Sequence, residues 1–214
     1  MSFKLVEPLI YLITSGETNA ANIETRGREI VEIVSVAVKE QIPLVQLREK
    51  SLQSKALFEL VRHLAQITGG SKTRLLVNDR SDVAAAAGAD GVHLTSTSIP
   101  VTEVRKSFGS DFLIAISTHT IDEVLDASRH GADLAVFGPV FESPGKTDLK
   151  GIATLSRACK AANGFTVVGL GGIDESNYEQ VLRAGASGVA GIRSLNNAEA
   201  IRSFAKKVID DRAH

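Results

Sequence analysis

In the segment QLREK, residues 46–50, Arg48 and Lys50 flank Glu49. Alternate residues of an extended strand share a face, so the two cations point the same way. Such a pair suits a phosphate or a carboxylate, or else an ion-pair network on a rim. Thirty residues on, VNDR places Asn78 and Asp79 together. STHT carries Ser117 and His119. Histidine is the side chain best suited to moving protons near neutral pH, and here it is either an acid–base group or a helix-entry residue held by Thr118 and Thr120. Lys146 sits in ESPGKTD, on a glycine-containing loop able to close over a ligand. GLGGID (169–174) and GVAGIRS (188–194) contribute Gly171, Gly172, Gly191, Ile192 and Arg193. Glycines allow close backbone approach to an anion, a following helix start offers free amides, and arginine adds a charge-assisted bond. The plainer alternative is that the glycines serve only tight turns. GVHLTSTS (91–98) ends in four consecutive hydroxyls, Thr95 to Ser98, with no carboxylate. These can donate to a ligand oxygen or cap the helix entered at Pro100, but should hold Mg²⁺ poorly. His93 reads as core or as support for the site, and no histidine–cysteine spacing suggests zinc.

Apart from His93, which lies within a strand, these groups stand where an apolar run stops. The runs cover 9–14, 44–49, 74–79, 91–95, 113–118, 134–140, 166–171 and 188–194. They are near-continuously apolar rather than alternating, as parallel strands buried on both faces are. Helical patterns fill 23–41, 51–69, 100–108, 120–129, 149–162, 174–184 and 196–209, with an alanine-rich piece at 81–88. In the first of these, Ile30, Ile33, Val34, Ala37 and Val38 form the apolar stripe. Eight strand–helix units predict a closed (β/α)8 TIM barrel, ahead of an open doubly wound sheet. The repeats AGADGVHL, HGADLAVF and AGASGVAG each set a glycine just past a helix, where a left-handed cap is wanted. Catalytic groups of such barrels lie at the carboxyl ends of the strands, with a phosphate cradle after strands seven and eight, so the polar stops converge on one face.

The chain has 214 residues and a formal net charge of −1, from 24 basic and 25 acidic side chains. That balance gives no electrostatic footprint for nucleic acid or membrane. No linker divides residues 1–214, which read as one barrel domain. Cys159 is the only cysteine, so no intrachain disulfide can form and a cytoplasmic setting is expected. Nothing in the sequence decides between a monomer and a homo-oligomer.

The segments VQLREK, VNDRSDVAAAAGADGVHL, ISTHTIDEV, DLAVFGPVFESPGK and VVGLGGIDESN…AGASGVAGI resemble, in order, the thiamine-phosphate synthase and TenI family. The resemblance implies a TIM barrel of vitamin B1 biosynthesis that binds a thiazole phosphate between loops seven and eight. In its synthase branch, a Mg²⁺-bound pyrimidine diphosphate ionises and the thiazole nitrogen captures the pyrimidine methylene. By resemblance Arg48, Lys50, Asn78 and Asp79 then serve diphosphate and metal, with Ser117 at the substrate and Lys146 at the leaving group. The synthase pattern has a second metal aspartate where this chain has Ser98, reads threonine-proline-threonine-lysine where this chain has Ser143 to Lys146, and has a phosphate-holding serine at Arg193. In the TenI branch a metal-free tautomerisation makes a thiazole carboxylate phosphate aromatic. Its catalytic histidine falls on His119, and Phe141-Glu142-Ser143 and Thr95 to Ser98 resemble its loops, while Asp79 fits it less well.

The lost carboxylate places the tautomerase reading first, with His119 and Lys50 as catalytic residues and no cofactor. The alternative is the Mg²⁺-dependent synthase, with Asp79 on the metal. A further alternative is a non-catalytic thiazole-phosphate binder. Another phosphosugar isomerase barrel would share the GGI loop, but the ordered QLREK and VNDR segments argue against it.

Overall fold

The computed structural model describes residues 8–143 and 148–212. Eight parallel strands close in sequence order into a barrel, a (β/α)8 fold. The strands are β1 (Leu9–Ile13), β2 (Leu44–Leu47), β3 (Arg74–Asn78), β4 (Gly91–Leu94), β5 (Leu113–Thr118), β6 (Leu134–Phe137), β7 (Thr166–Leu170) and β8 (Gly188–Gly191). The helices are α1 (Ile23–Lys39), α2 (Ser54–Thr68), α3 (Ser81–Ala87), α4 (Val101–Phe108), α5 (Ile121–Arg129), α6 (Gly151–Ala162), α7 (Tyr178–Arg183) and α8 (Ala198–Arg212). Every residue of β1, β2, β4, β6 and β8 is buried, the reason their sequences are apolar without alternation. No helix among the described residues is long and apolar enough to cross a membrane.

The internal packing divides into two compact units. One comprises Met1–Ile10 and His93–Gly191, the other Tyr11–Val92 and Ile192–His214. In the second, β1 pairs β2 through Tyr11↔Leu44 and β2 pairs β3 through Leu44↔Arg74. Helix α1 buries Ile30, Ile33, Val34, Val36 and Ala37, so Val36 takes the place that periodicity gives to Val38. In the first, β5, β6, β7 and β8 pair in succession, and the Leu9 amide donates to the Ser187 carbonyl at 2.8 Å.

The glycine repeat works as its sequence implies. Gly88, Gly131 and Gly185 all take positive φ, reversing the chain after α3, α5 and α7. In two of the three repeats the following aspartate then anchors the neighbouring strand. Asp90 Oδ2 accepts from the Leu75 amide at 2.8 Å, and Asp133 Oδ2 from the Ile114 amide at 2.7 Å. Each aspartate also holds an arginine, Arg74 at 3.1 Å and Arg105 at 2.7 Å.

Most boundaries shift by one to three residues from the sequence pattern, and three of the departures have a physical cause in the residues that follow or precede them. Strand β6 stops at Phe137 rather than residue 140, because Gly138 and Pro139 follow and proline has no N–H for a ladder. Strand β8 stops at Gly191, and Arg193–Leu195 form a 3₁₀ turn. Helix α7 begins at Tyr178, not residue 174, because side chains intervene: the Asp174 amide donates to Asn177 Oδ1 and Ser176 donates to Asp174 Oδ1. Gly171 and Gly172 are therefore not followed directly by a helix N-terminus.

Candidate active site

Strand β2 stops at Leu47 rather than residue 49, so Arg48 and Lys50 lie just past it, and β3 ends at Asn78 in the same unit. Gln46 is buried, Arg48 half-buried and Lys50 exposed, while Glu49 faces the other way and is buried. Gln46 Nε2 donates to Asn78 Oδ1 at 3.1 Å, which joins the ends of the two strands. The other amide atom of Gln46, Oε1, is buried without a hydrogen-bond partner. Asp79 follows in the left-handed conformation, with φ of 64°, and the Arg80 amide turns back onto the Asn78 carbonyl at 2.8 Å. Arg80 itself is committed elsewhere: it binds Asp82 through two nitrogens and Ser54 Oγ. The hydrogen bond from Arg80 holds the Asp82 carboxyl below its ordinary range and raises the guanidinium in return.

Arg193 belongs to the same unit, exposed on the 3₁₀ turn after β8. It lines a cavity of about 480 Å³ with Ile192, Asn196, Ser15, Thr18 and Arg26. Arg26 is paired with Glu29 and Glu17, and the Glu29 hydrogen bond is the main reason its pKa is raised.

The other unit holds β4 to β8. Buried His93 (2% exposed) brings Nε2 to 2.9 Å from Ser117 Oγ, pairing the ends of β4 and β5. The hydroxyl loop that follows β4 is closed on itself. Ser98 Oγ accepts from the Thr95 amide at 2.7 Å, and Thr95 Oγ1 lies 3.1 Å from both Thr97 Oγ1 and Ser98 Oγ. The cap expected at Pro100 is not what occupies Ser98: its oxygen serves the loop, and Pro100 gives α4 no side-chain cap.

His119 is exposed, and its ring is held by neither neighbouring threonine. Nδ1 lies 2.6 Å from the Gly138 carbonyl oxygen, which can only accept, so Nδ1 carries the proton. In the neutral ring Nε2 is then the basic nitrogen. Thr120 and Glu123 form a capping box at the start of α5, and Glu123 also receives the His119 amide. The histidine thus stands on a fixed helix entry.

Gly171 and Gly172 take φ of 105° and 62°. A Cβ on Gly172 would lie 2.4 Å from the Glu142 carbonyl oxygen, and one on Gly171 2.7 Å from Pro139 Cα. The Phe141 amide donates to the Gly171 carbonyl at 2.9 Å, so the segments after β6 and β7 run side by side. Close packing of backbone on backbone is one reason for these glycines. The cradle expected from Gly171, Gly172, Gly191, Ile192 and Arg193 draws its first three residues from this unit and the last two from the other. Lys146 lies outside the described residues.

Among the described residues no group of three or more His, Cys, Asp or Glu side chains stands together as a metal site. The donors fit Mg²⁺ only in part. Asp79 would bring one carboxylate, and Ser98, which the resemblance sets at the second metal position, has a hydroxyl that already accepts the Thr95 amide. A hard dication with one protein carboxylate takes its remaining oxygens from substrate phosphate and water. Two contributors were not picked out from sequence: Gln46 and Glu49. The strand period points to Gln46, two residues before Arg48. The role of Glu49 depends on a loop more than thirty residues away.

The closed parallel barrel, with polar side chains after β2 and β3 and an oriented histidine after β5, defines the chain as a (β/α)8 protein. More particularly, the chain belongs to the thiamine monophosphate synthase/TenI family, whose model matches residues 10–195. The thiamine-phosphate synthase of Clostridium acetobutylicum is 32% identical over 208 residues, spanning 97% of this chain and 96% of that protein. That of Shouchella clausii is 32% identical over 202 residues, 94% of each. Among solved structures, a thiamine phosphate pyrophosphorylase from Pyrococcus furiosus superimposes with a TM-score of 0.79 at 27% identity, covering 94% of both chains.

Proposed function

We propose that the chain joins a pyrimidine diphosphate to a thiazole phosphate, forming thiamine phosphate. The observation that carries this reading is the set Arg48, Lys50, Asn78 and Asp79, all present just past or at the ends of β2 and β3, two strands that the Gln46–Asn78 hydrogen bond joins. Relatives named as synthases, similar over nearly the whole chain, support the same reading and put it ahead of the tautomerase that the loop sequence alone favours. In the reaction the bond between the pyrimidine methylene and the diphosphate oxygen breaks, and its electron pair leaves with the diphosphate. The thiazole nitrogen lone pair then forms the new C–N bond, and no proton is transferred. Arg48 and Lys50 hold the departing diphosphate through charge-assisted bonds. Ser117, oriented by His93, contacts the substrate, and Lys146 meets the leaving group. Mg²⁺, where bound through Asp79, would neutralise part of the diphosphate charge.

The tautomerase reading keeps one specific support: a carboxylate-free hydroxyl loop bonded within itself after β4, and a histidine with a fixed tautomer after β5. The test is direct. Purified protein is incubated with hydroxymethylpyrimidine diphosphate and thiazole phosphate, with Mg²⁺ or with chelator. It is incubated separately with the non-aromatic thiazole carboxylate phosphate in D₂O. Thiamine phosphate formation supports the synthase. Its absence, with deuterium entering the thiazole, reverses the order of the two readings. Binding without either reaction makes the protein a thiazole-phosphate binder.

A further inference from the structure

The Glu49 carboxylate is only 3% exposed, and the proposed reaction does not use it. Burying a carboxylate is costly unless donors surround it. Here the donors all come from the segment that follows β1. Thr14 Oγ1 donates to Oε1 at 2.6 Å, the Gly16 amide to Oε1 at 3.2 Å, and the Thr18 amide to Oε2 at 2.8 Å. Because the single Thr14 hydroxyl proton is spent on Glu49, the lone pairs of that oxygen face the Arg48 amide, which donates to it at 2.8 Å. One carboxylate thus fixes residues 14–18 against the end of β2.

That segment is the seat of the Arg48 side chain. Gly16 takes φ of +83°, and a Cβ there would lie 2.7 Å from Arg48 Nη1 and 3.1 Å from the Arg48 carbonyl oxygen. The guanidinium therefore rests on the bare Cα of Gly16, in a place set by the Glu49 bonds. We propose that Glu49 is a positioning residue: it holds the β1–α1 loop so that Gly16 seats the Arg48 guanidinium for its anion. The proposal rests on the reading that Arg48 binds the substrate diphosphate. An arginine held beforehand loses less rotamer freedom on binding than one that must be ordered by its ligand.

The test uses the whole protein and inorganic diphosphate, with affinity read by calorimetry for the unmodified chain, E49Q, R48A and the E49Q/R48A pair. The glutamine amide turns one acceptor into a donor facing the loop's own N–H groups, so the segment shifts. E49Q should weaken diphosphate binding about tenfold when Arg48 is present and by less than about twofold when it is alanine, since residues acting through one contact are non-additive. G16A probes the same seat from the other side, leaving Glu49 in place, and should show the same loss and the same dependence on Arg48 should E49Q fail to fold. Equal losses in both backgrounds mean a general disturbance and overturn the proposal, as does unchanged affinity in E49Q. An R48A protein that binds diphosphate as well as the unmodified one overturns the reading beneath it, and leaves the seat without a ligand to serve.

Discussion

Replacing His119 with glutamine separates the two chemistries within one protein. The ring donates Nδ1–H to the Gly138 carbonyl at 2.6 Å, and Nε2 is left as the basic nitrogen. A glutamine amide can replace a hydrogen-bond donor but cannot take up and return a proton. Synthase bond exchange moves no proton, so the loss there is at most that of one positioning hydrogen bond, about 0.5–1.5 kcal/mol, or roughly two- to tenfold in kcat/KM. Tautomerisation needs the proton to be carried, and a positioned acid–base group contributes about 10²–10⁴-fold, or roughly 2.7–5.5 kcal/mol. Both turnovers are measured on one preparation, thiamine phosphate by chromatography and thiazole isotope exchange by NMR. The expected result is synthase turnover within about tenfold of the unmodified protein, the bound set by that single hydrogen bond. A loss of synthase turnover beyond about a hundredfold refutes the assignment, because that is the size of a proton-transfer step.

Gly172→Ala should lower stability by about 2–4 kcal/mol, from the left-handed φ together with a Cβ aimed at an immobile carbonyl, and a thermal melt should fall by roughly 5–15 °C. An unchanged melting temperature would mean the 139–142 segment yields easily. Asp133→Ala removes the acceptor of the Ile114 amide and of Arg105, at a cost of about 2–3 kcal/mol by denaturant titration, and should leave diphosphate affinity as it was. Burial pushes the Cys159 thiol up to about 11, from an ordinary 9.0. Alkylation at pH 8 should therefore run about a hundredfold slower than for a free thiol. Because the folded state holds this proton more tightly, the Cys159 contribution to stability is intact below pH 9.0 and is lost as pH rises towards about 11, which denaturation curves across that range can follow.

The barrel could be read from sequence because β1, β2, β4, β6 and β8 are buried along their whole length, so that runs such as LIYLI and LAVF cannot alternate. The glycine repeats marked the helix exits for an equally local reason, their positive φ. The start of α7 was hidden because Asp174, Ser176 and Asn177 bond to one another before the helix begins. Arg48, Lys50, Asn78 and His119 were visible as polar stops to apolar strands. Glu49 looked like a spacer between two cations, since its partners Thr14, Gly16 and Thr18 come from another connection. The hydroxyl run Thr95 to Ser98 invited a ligand, yet much of its bonding capacity is met within the loop, which composition does not reveal.

The hydrogen bond from Leu9 to Ser187 joins residues 178 positions apart (187 − 9), whereas Tyr11 finds its β2 partner Leu44 only 33 positions on (44 − 11). Loop closure entropy grows as the logarithm of that separation, so the seam costs about 1.5 kcal/mol more to close than the neighbouring pairing. On the ribosome the difference is one of order as well as energy. One edge of the apolar strand LIYLI can be covered as soon as β2 is made, but the other has no partner until β8 emerges. For most of synthesis the nascent chain carries an open, hydrophobic strand edge of the kind that recruits other chains, and this makes β1 the segment that chaperones have most reason to hold.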